Sequence, residues 1–201
     1  MSKYLTYVNN LFREINWNNM VIIGDVLVAN NNIFPYIDIR FYGGDEDTIN
    51  TKITEIVSIL ERNCFESKRI VVFSKIDNGL YVINEPPFFS IYISKNMYKS
   101  IEDILNSQLL PSYALAYDGN DITTSSKAKY AIDHKINKID GKLNTKDLVT
   151  LIRHRKYGFQ IEGNYYDIDY INNKCCRYMD LFASRSRLLS YVDTTLCNDV
   201  T

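Results

Sequence analysis

Apolar residues recur along this chain at two spacings. Over residues 4–15 (YLTYVNNLFREI), Tyr4, Tyr7, Val8, Leu11, Phe12 and Ile15 fall three or four positions apart, which predicts an amphipathic helix. From Val21 an apolar run leads into Gly24-Asp25, and Val26 to Asn30 reads as a short second helix. A turn ending at Pro35 follows. Tyr36 to Tyr42 then alternates, with Ile37, Ile39 and Phe41 on one side and Tyr36, Asp38 and Arg40 on the other, the pattern of a half-buried strand. Thr48 to Arg62 returns to the helical rhythm through Ile49, Ile53, Ile56, Val57 and Leu60.

Three strands are expected next. Arg69–Lys75 and Gly79–Ile83 flank Asp77-Asn78-Gly79, a hairpin signal, and Phe88–Ser94 follows the rigid Pro86-Pro87 bend. Ser100–Asn106 reads as a helix, Tyr113–Tyr117 as a strand closed by Asp118-Gly119, and Ser125–Ile136 as another helix. Lys146–Tyr157 is a basic helix that Gly158 would cap. Gln160–Tyr170 reads as a late hairpin and Cys176–Tyr191 as helical. Helices interspersed with hairpin-like strand pairs predict an α+β domain with a mixed sheet flanked by helices.

Composition narrows the function classes. At 201 residues, 46% of them hydrophobic, the chain can bury one ordinary core. Its formal net charge of −1 supplies no long-range pull toward nucleic acid or anionic membrane, so neither is an expected partner. No apolar run approaches the roughly 20 residues of a membrane span. The N-terminal MSKYLTYVNNLFREINW has no apolar signal-peptide core, so a cytoplasmic location is expected. Cys64, Cys175, Cys176 and Cys197 stand in no C-x-x-C or C-x-x-H spacing, which offers no zinc site and suggests reduced thiols.

The stretch VIIGDVLVANNNIFPYIDIRFYG, residues 21–43, has the layout of a nucleotidyl-transfer site, in which a glycine turn precedes a strand bearing carboxylates. From about Val21 to Phe159 the chain resembles a nucleotidyltransferase-like domain found in large DNA viruses and beside ankyrin repeats in some fungal proteins. That family carries a Gly-Gly-Ser-Val-Leu turn followed by Ser-Asp-Ile-Asp-Leu-Phe-Phe-Tyr-Gly. Here Gly24-Asp25-Val26-Leu27 and Pro35-Tyr36-Ile37-Asp38-Ile39-Arg40-Phe41-Tyr42-Gly43 stand in those places. The family's later Phe-Asp-x-Asp and Gly-Tyr-Asp-Gly become Leu109-Leu110-Pro111 and Ala116-Tyr117-Asp118-Gly119. Its final Arg-Gly-Phe becomes Lys156-Tyr157-Gly158-Phe159. The resemblance implies a nucleotidyltransferase-like core over residues 1–160 with its N-terminal helix, and a hairpin and helix extension over residues 161–201 packed on it. It also implies a viral source, and hence the host cell cytoplasm.

The acidic positions depart from that pattern. Asp38 is present, but its expected partner is Tyr36, and the later acid pair is Leu109 and Pro111. Nucleotidyl transfer needs metal ions bridging the triphosphate, and Mg²⁺ keeps its waters unless carboxylates anchor it. A neutral tyrosine cannot replace one of them. Asp25 replaces a serine that would contact phosphate. It is expected to cap the short helix itself and to repel a triphosphate.

These departures favour a catalytically inactive domain serving as a binding or scaffold module with a protein partner and no cofactor. Gly24, Asp25 and Asp38 would then be vestiges of the nucleotide and metal site, with Asp38 facing a shallow groove near Asp25. An active transferase, with Mg²⁺ as its cofactor, would need Asp38 together with Asp25, Asp118 or Asp121. An unrelated soluble viral α+β protein is the third reading. Asp167 and Asp169 form a second Asp-x-Asp without an upstream glycine turn, and read as a solvated strand face. His134 and His154 have no cysteine nearby in sequence, and His154, inside Arg153-His154-Arg155-Lys156, reads as part of an exposed basic helix end. The 16 tyrosines are dispersed among Ile and Val, so most are expected in packing roles.

Overall fold

The computed structural model describes residues 4–29, 36–66, 71–76, 79–84, 89–141 and 145–163. In chain order these form α1 (Leu5–Leu11), β1 (Met20–Ile23), α2 (Asp25–Val28), β2 (Tyr36–Tyr42), α3 (Glu46–Glu66), β3 (Val71–Ile76), β4 (Gly79–Asn84) and β5 (Phe89–Tyr98). There follow α4 (Ile101–Asn106), a 3₁₀ turn η1 (Pro111–Tyr113), β6 (Leu115–Tyr117), β7 (Ile122–Thr124), α5 (Ser126–His134), β8 (Ile136–Lys138), α6 (Thr145–Lys156) and β9 (Gln160–Glu162). The fold is α+β. Its main sheet has seven strands among the described residues, in the order β3-β4-β5-β2-β1-β6-β7, and the β2–β5 pair is parallel while its other pairs are antiparallel.

The expected β3–β4 hairpin forms with Ile76 opposite Gly79, and the turn residues Asp77 and Asn78 lie outside the described residues. The late hairpin expected at Gln160–Tyr170 is described only in its first part. There β9 pairs in parallel with β8 instead of turning back on itself within those residues. The helix expected at Cys176–Tyr191, the Asp167–Asp169 pair and the extension beyond Gly163 lie outside the described residues. No described helix is long and apolar enough to cross a membrane.

Local rules account for most element ends. The Ser100 side chain accepts the Asp103 N–H at the start of α4, and Ser125 accepts that of Ala128 at the start of α5. Gly158, at φ +91°, turns the chain after α6 so that the Phe159 N–H returns to the His154 carbonyl at 3.0 Å.

Strand β2 differs from the half-buried expectation. Ile37, Ile39 and Phe41 are buried, but so are Asp38 and Arg40 on the opposite side. Every residue of the neighbouring β1 is buried as well. Both faces of the sheet centre are therefore covered, and apolar/polar alternation does not mean apolar-in/polar-out when the polar pair neutralises itself.

Candidate functional site

Four elements converge at the carboxyl end of β1. Gly24 leaves the strand at φ +80°, a conformation that favours glycine, and α2 begins at Asp25. Antiparallel pairing sets Asp38 of β2 opposite Ile23, next to that turn. The turn η1 brings Ser112 and Tyr113, and the last turn of α6 brings Arg153 and His154.

Asp38 does not face a groove. It is 2% exposed, with its Oδ2 accepting from Arg40 Nη2 at 2.9 Å and from the Tyr113 hydroxyl at 2.9 Å. Arg40 Nε also lies 2.8 Å from Oδ1, an attraction by proximity because the N–H there is not aligned for a hydrogen bond. Residues 38 and 40 share a strand face, so the partner of this aspartate is its own second neighbour. On β5, Tyr92 stands opposite Asp38, and the Arg40 guanidinium lies 5.5 Å from the centre of its ring.

Asp25 is not a helix cap. Gly24 takes the N-cap position and no side chain caps α2. The Asp25 carboxylate, fully buried, meets Arg153 Nε at 2.6 Å through Oδ2 and His154 Nε2 at 2.8 Å through Oδ1. A carboxylate only accepts, so His154 Nε2 donates, and the Nδ1 of a neutral ring then accepts from the Ser112 hydroxyl. His154 is thus wholly buried, contrary to the exposed helix end expected of it. It packs against Tyr113, Tyr157 and Phe159, while the Arg153 guanidinium lies 4.0 Å from the Tyr36 ring centre.

Ser112, His154 and Asp25 form a chain that resembles a hydrolytic triad in composition. All three have zero exposure, so no substrate reaches the serine, and the chain ties η1 to α6 and α2.

The electrostatics of the cluster are balanced. Burial raises the Asp25 carboxyl, but Arg153 and then His154 outweigh it and hold the group below the usual carboxylate range. Burial, followed by the charges of Asp38 and Asp25, pushes the Tyr113 phenol well above its ordinary range, so it stays a donor. Two carboxylates meet two guanidiniums, leaving no net negative charge to attract a divalent cation.

The space is filled too. A Cβ built on Gly24 would lie 2.1 Å from Tyr113 Cζ. The segment expected to carry the later acid pair instead has Leu109 and Pro111. Pro111 opens η1 and so delivers Tyr113 to the cluster.

The other candidate acids stand apart. Asp118 Oδ1 accepts the N–H groups of Asn120 and Asp121 and holds a turn. That turn follows β6, which β1 separates from β2, so ordinary strand spacing sets Asp118 at least about 10 Å from Asp38. No group of three or more His, Cys, Asp or Glu suited to a metal occurs among the described residues.

Sequence reasoning missed Tyr113, Ser112 and Arg153 as members of this cluster. Only the Asp38–Arg40 pair had a local signal, the i, i+2 spacing on a strand. Comparison of the chain with protein-family models and with curated proteins finds no match.

Proposed function

We propose that the protein is a nucleotidyltransferase-like domain that has lost catalysis and acts in the cytoplasm as a binding or scaffold module for a protein partner. The observation that carries this reading is the occupation of Asp38, the acid retained in the resemblance, by Arg40 and the Tyr113 hydroxyl. The glycine turn between β1 and α2, followed by an antiparallel strand bearing Asp38, supports the resemblance itself. The alternative of an active transferase has less support, because Asp25 and Asp38 each have an arginine within ion-pair distance.

Calorimetry with Mg²⁺ and each nucleoside triphosphate tests the reading. No saturable metal-dependent binding is expected. Micromolar binding abolished by Asp38→Ala would overturn it. The double variant Tyr36→Asp, Asp25→Ser restores the acid pair of the resemblance and removes one repulsive charge. It is expected to gain no triphosphate affinity, because Arg40 and the Tyr113 ring still occupy the site. A clear gain would show that the pocket persists.

A further inference from the structure

An open cleft lies elsewhere among the described residues. A cavity of about 580 Å³ sits between the end of α4, the helix α5 and the strand β8, and none of Asp25, Asp38, Arg40, Tyr113, Arg153 and His154 lines it. Its volume falls in the range of small-molecule sites. Leu109, Ile136 and Tyr130 supply apolar and aromatic wall, and Tyr130 is 39% exposed. Two lysines from different elements enter it, Lys127 from α5 and Lys138 from β8.

Both cations retain bonding capacity. Lys127 Nζ donates to the Gln108 carbonyl at 2.7 Å, which uses one of its three protons and helps neutralise the end of α4. Lys138 Nζ lies 4.7 Å from the Tyr130 ring centre, and the Tyr130 hydroxyl and then Glu162 favour its charged form. Neither has a carboxylate within ion-pair distance among the described residues. Asp140 also lines the cleft and Glu162 stands opposite Lys138 on β9, but neither carboxylate comes within ion-pair distance of either lysine, so both ammonium groups remain open to an anion.

The charge of the chain is segregated in the same direction. Residues 125–160 hold nine Lys and Arg against three Asp, a net of +6, while the rest holds 14 against 21. A near-neutral protein thus has one strongly basic segment, and the cleft opens beside it.

We propose that this cleft binds a small monophosphate ester with an apolar or planar body, its dianion held by Lys127 and Lys138 and its body against Tyr130, Leu109 and Ile136. Two ammonium point charges suit a dianion better than a single carboxylate. The site is independent of the vestigial pocket, and it stands or falls separately.

Titrating the protein with phenyl phosphate, benzoate, inorganic phosphate and phenol, followed by backbone amide chemical shifts, tests it. Saturable shifts at Tyr130 and Ile136 are expected, tightest for phenyl phosphate. Lys138→Glu, at an exposed position, should weaken binding by roughly tenfold or more, the loss expected from reversing one charge at contact distance. Lys129→Ala, exposed on α5 outside the cleft, should leave it unchanged. Absence of saturable shifts in the cleft, equal affinity for phenol, or binding unaffected by Lys138→Glu would each overturn the proposal.

Discussion

Tyr113 shows how one side chain can close a site and complete it at once. Its ring occupies the space above Gly24, and its hydroxyl is the donor that Arg40 alone would leave Asp38 lacking. Tyr113→Phe keeps the ring and removes the donor to a buried carboxylate, so a loss of about 2 kcal/mol is expected in urea unfolding. An unchanged midpoint would mean that Arg40 satisfies Asp38 unaided. Asp25→Asn keeps the shape but leaves the Arg153 charge buried without its counter-ion, and the expected loss is about 3–5 kcal/mol. The same pair sets a pH dependence. Asp25 titrates lower in the folded protein than in the unfolded chain, so the folded state binds fewer protons there. Its contribution is fully present above the unfolded aspartate value of about 4 and is lost as pH falls through the depressed folded value. Urea unfolding across an acid series should show this loss in the parent protein and a shallower slope in Asp25→Asn.

Among the elements, the β1–α2 turn depends most on a single residue. Gly24 combines a positive φ with a ring against its α-carbon, so Gly24→Ala meets backbone strain and a collision together. The expected cost is about 3 kcal/mol or more, with Tyr113 displaced from Asp38. Thermal unfolding measures the cost, and fluorescence or NMR of Tyr113 reports the displacement. A variant as stable as the parent would mean that η1 moves easily. The short helices α4 and α5 depend on ordinary caps instead, since each begins at a serine accepting a backbone N–H.

At the scale of the whole molecule, β1 and β2 sit inside the seven-stranded order, with every β1 residue and five of seven β2 residues buried. β7 is an edge strand of three residues with two of them exposed. Hydrogen exchange should therefore be slowest in β1 and β2 and fastest in β7, because central strands open only with the global transition. Fast exchange in β2 would show that its buried ion pair opens independently of the core.

Helix and strand positions were legible in the sequence because their signals are local. The alternation through Tyr36–Tyr42, the helical rhythm of α1 and α3, and Gly158 each act within a few residues. The short strand β8 gave no such signal, since three residues hold less than two periods and its partner β9 lies over twenty residues away. The site was legible only in part. Gly24 and Asp38 were found from the sequence, and the i, i+2 spacing of Asp38 and Arg40 could have announced their pairing. Nothing near Asp25 or His154 announces that they meet 129 positions apart, or that Tyr113 reaches Asp38 across 75. Read alone, a charged residue looks solvated or capping, because burying it is costly until a counter-charge arrives. The sequence by itself determined the longer elements, whose periodicity is local, and the order of the acids. Tertiary packing supplied the counter-charges, and so decided that these acids are buried as paired structural groups instead of lining an open site.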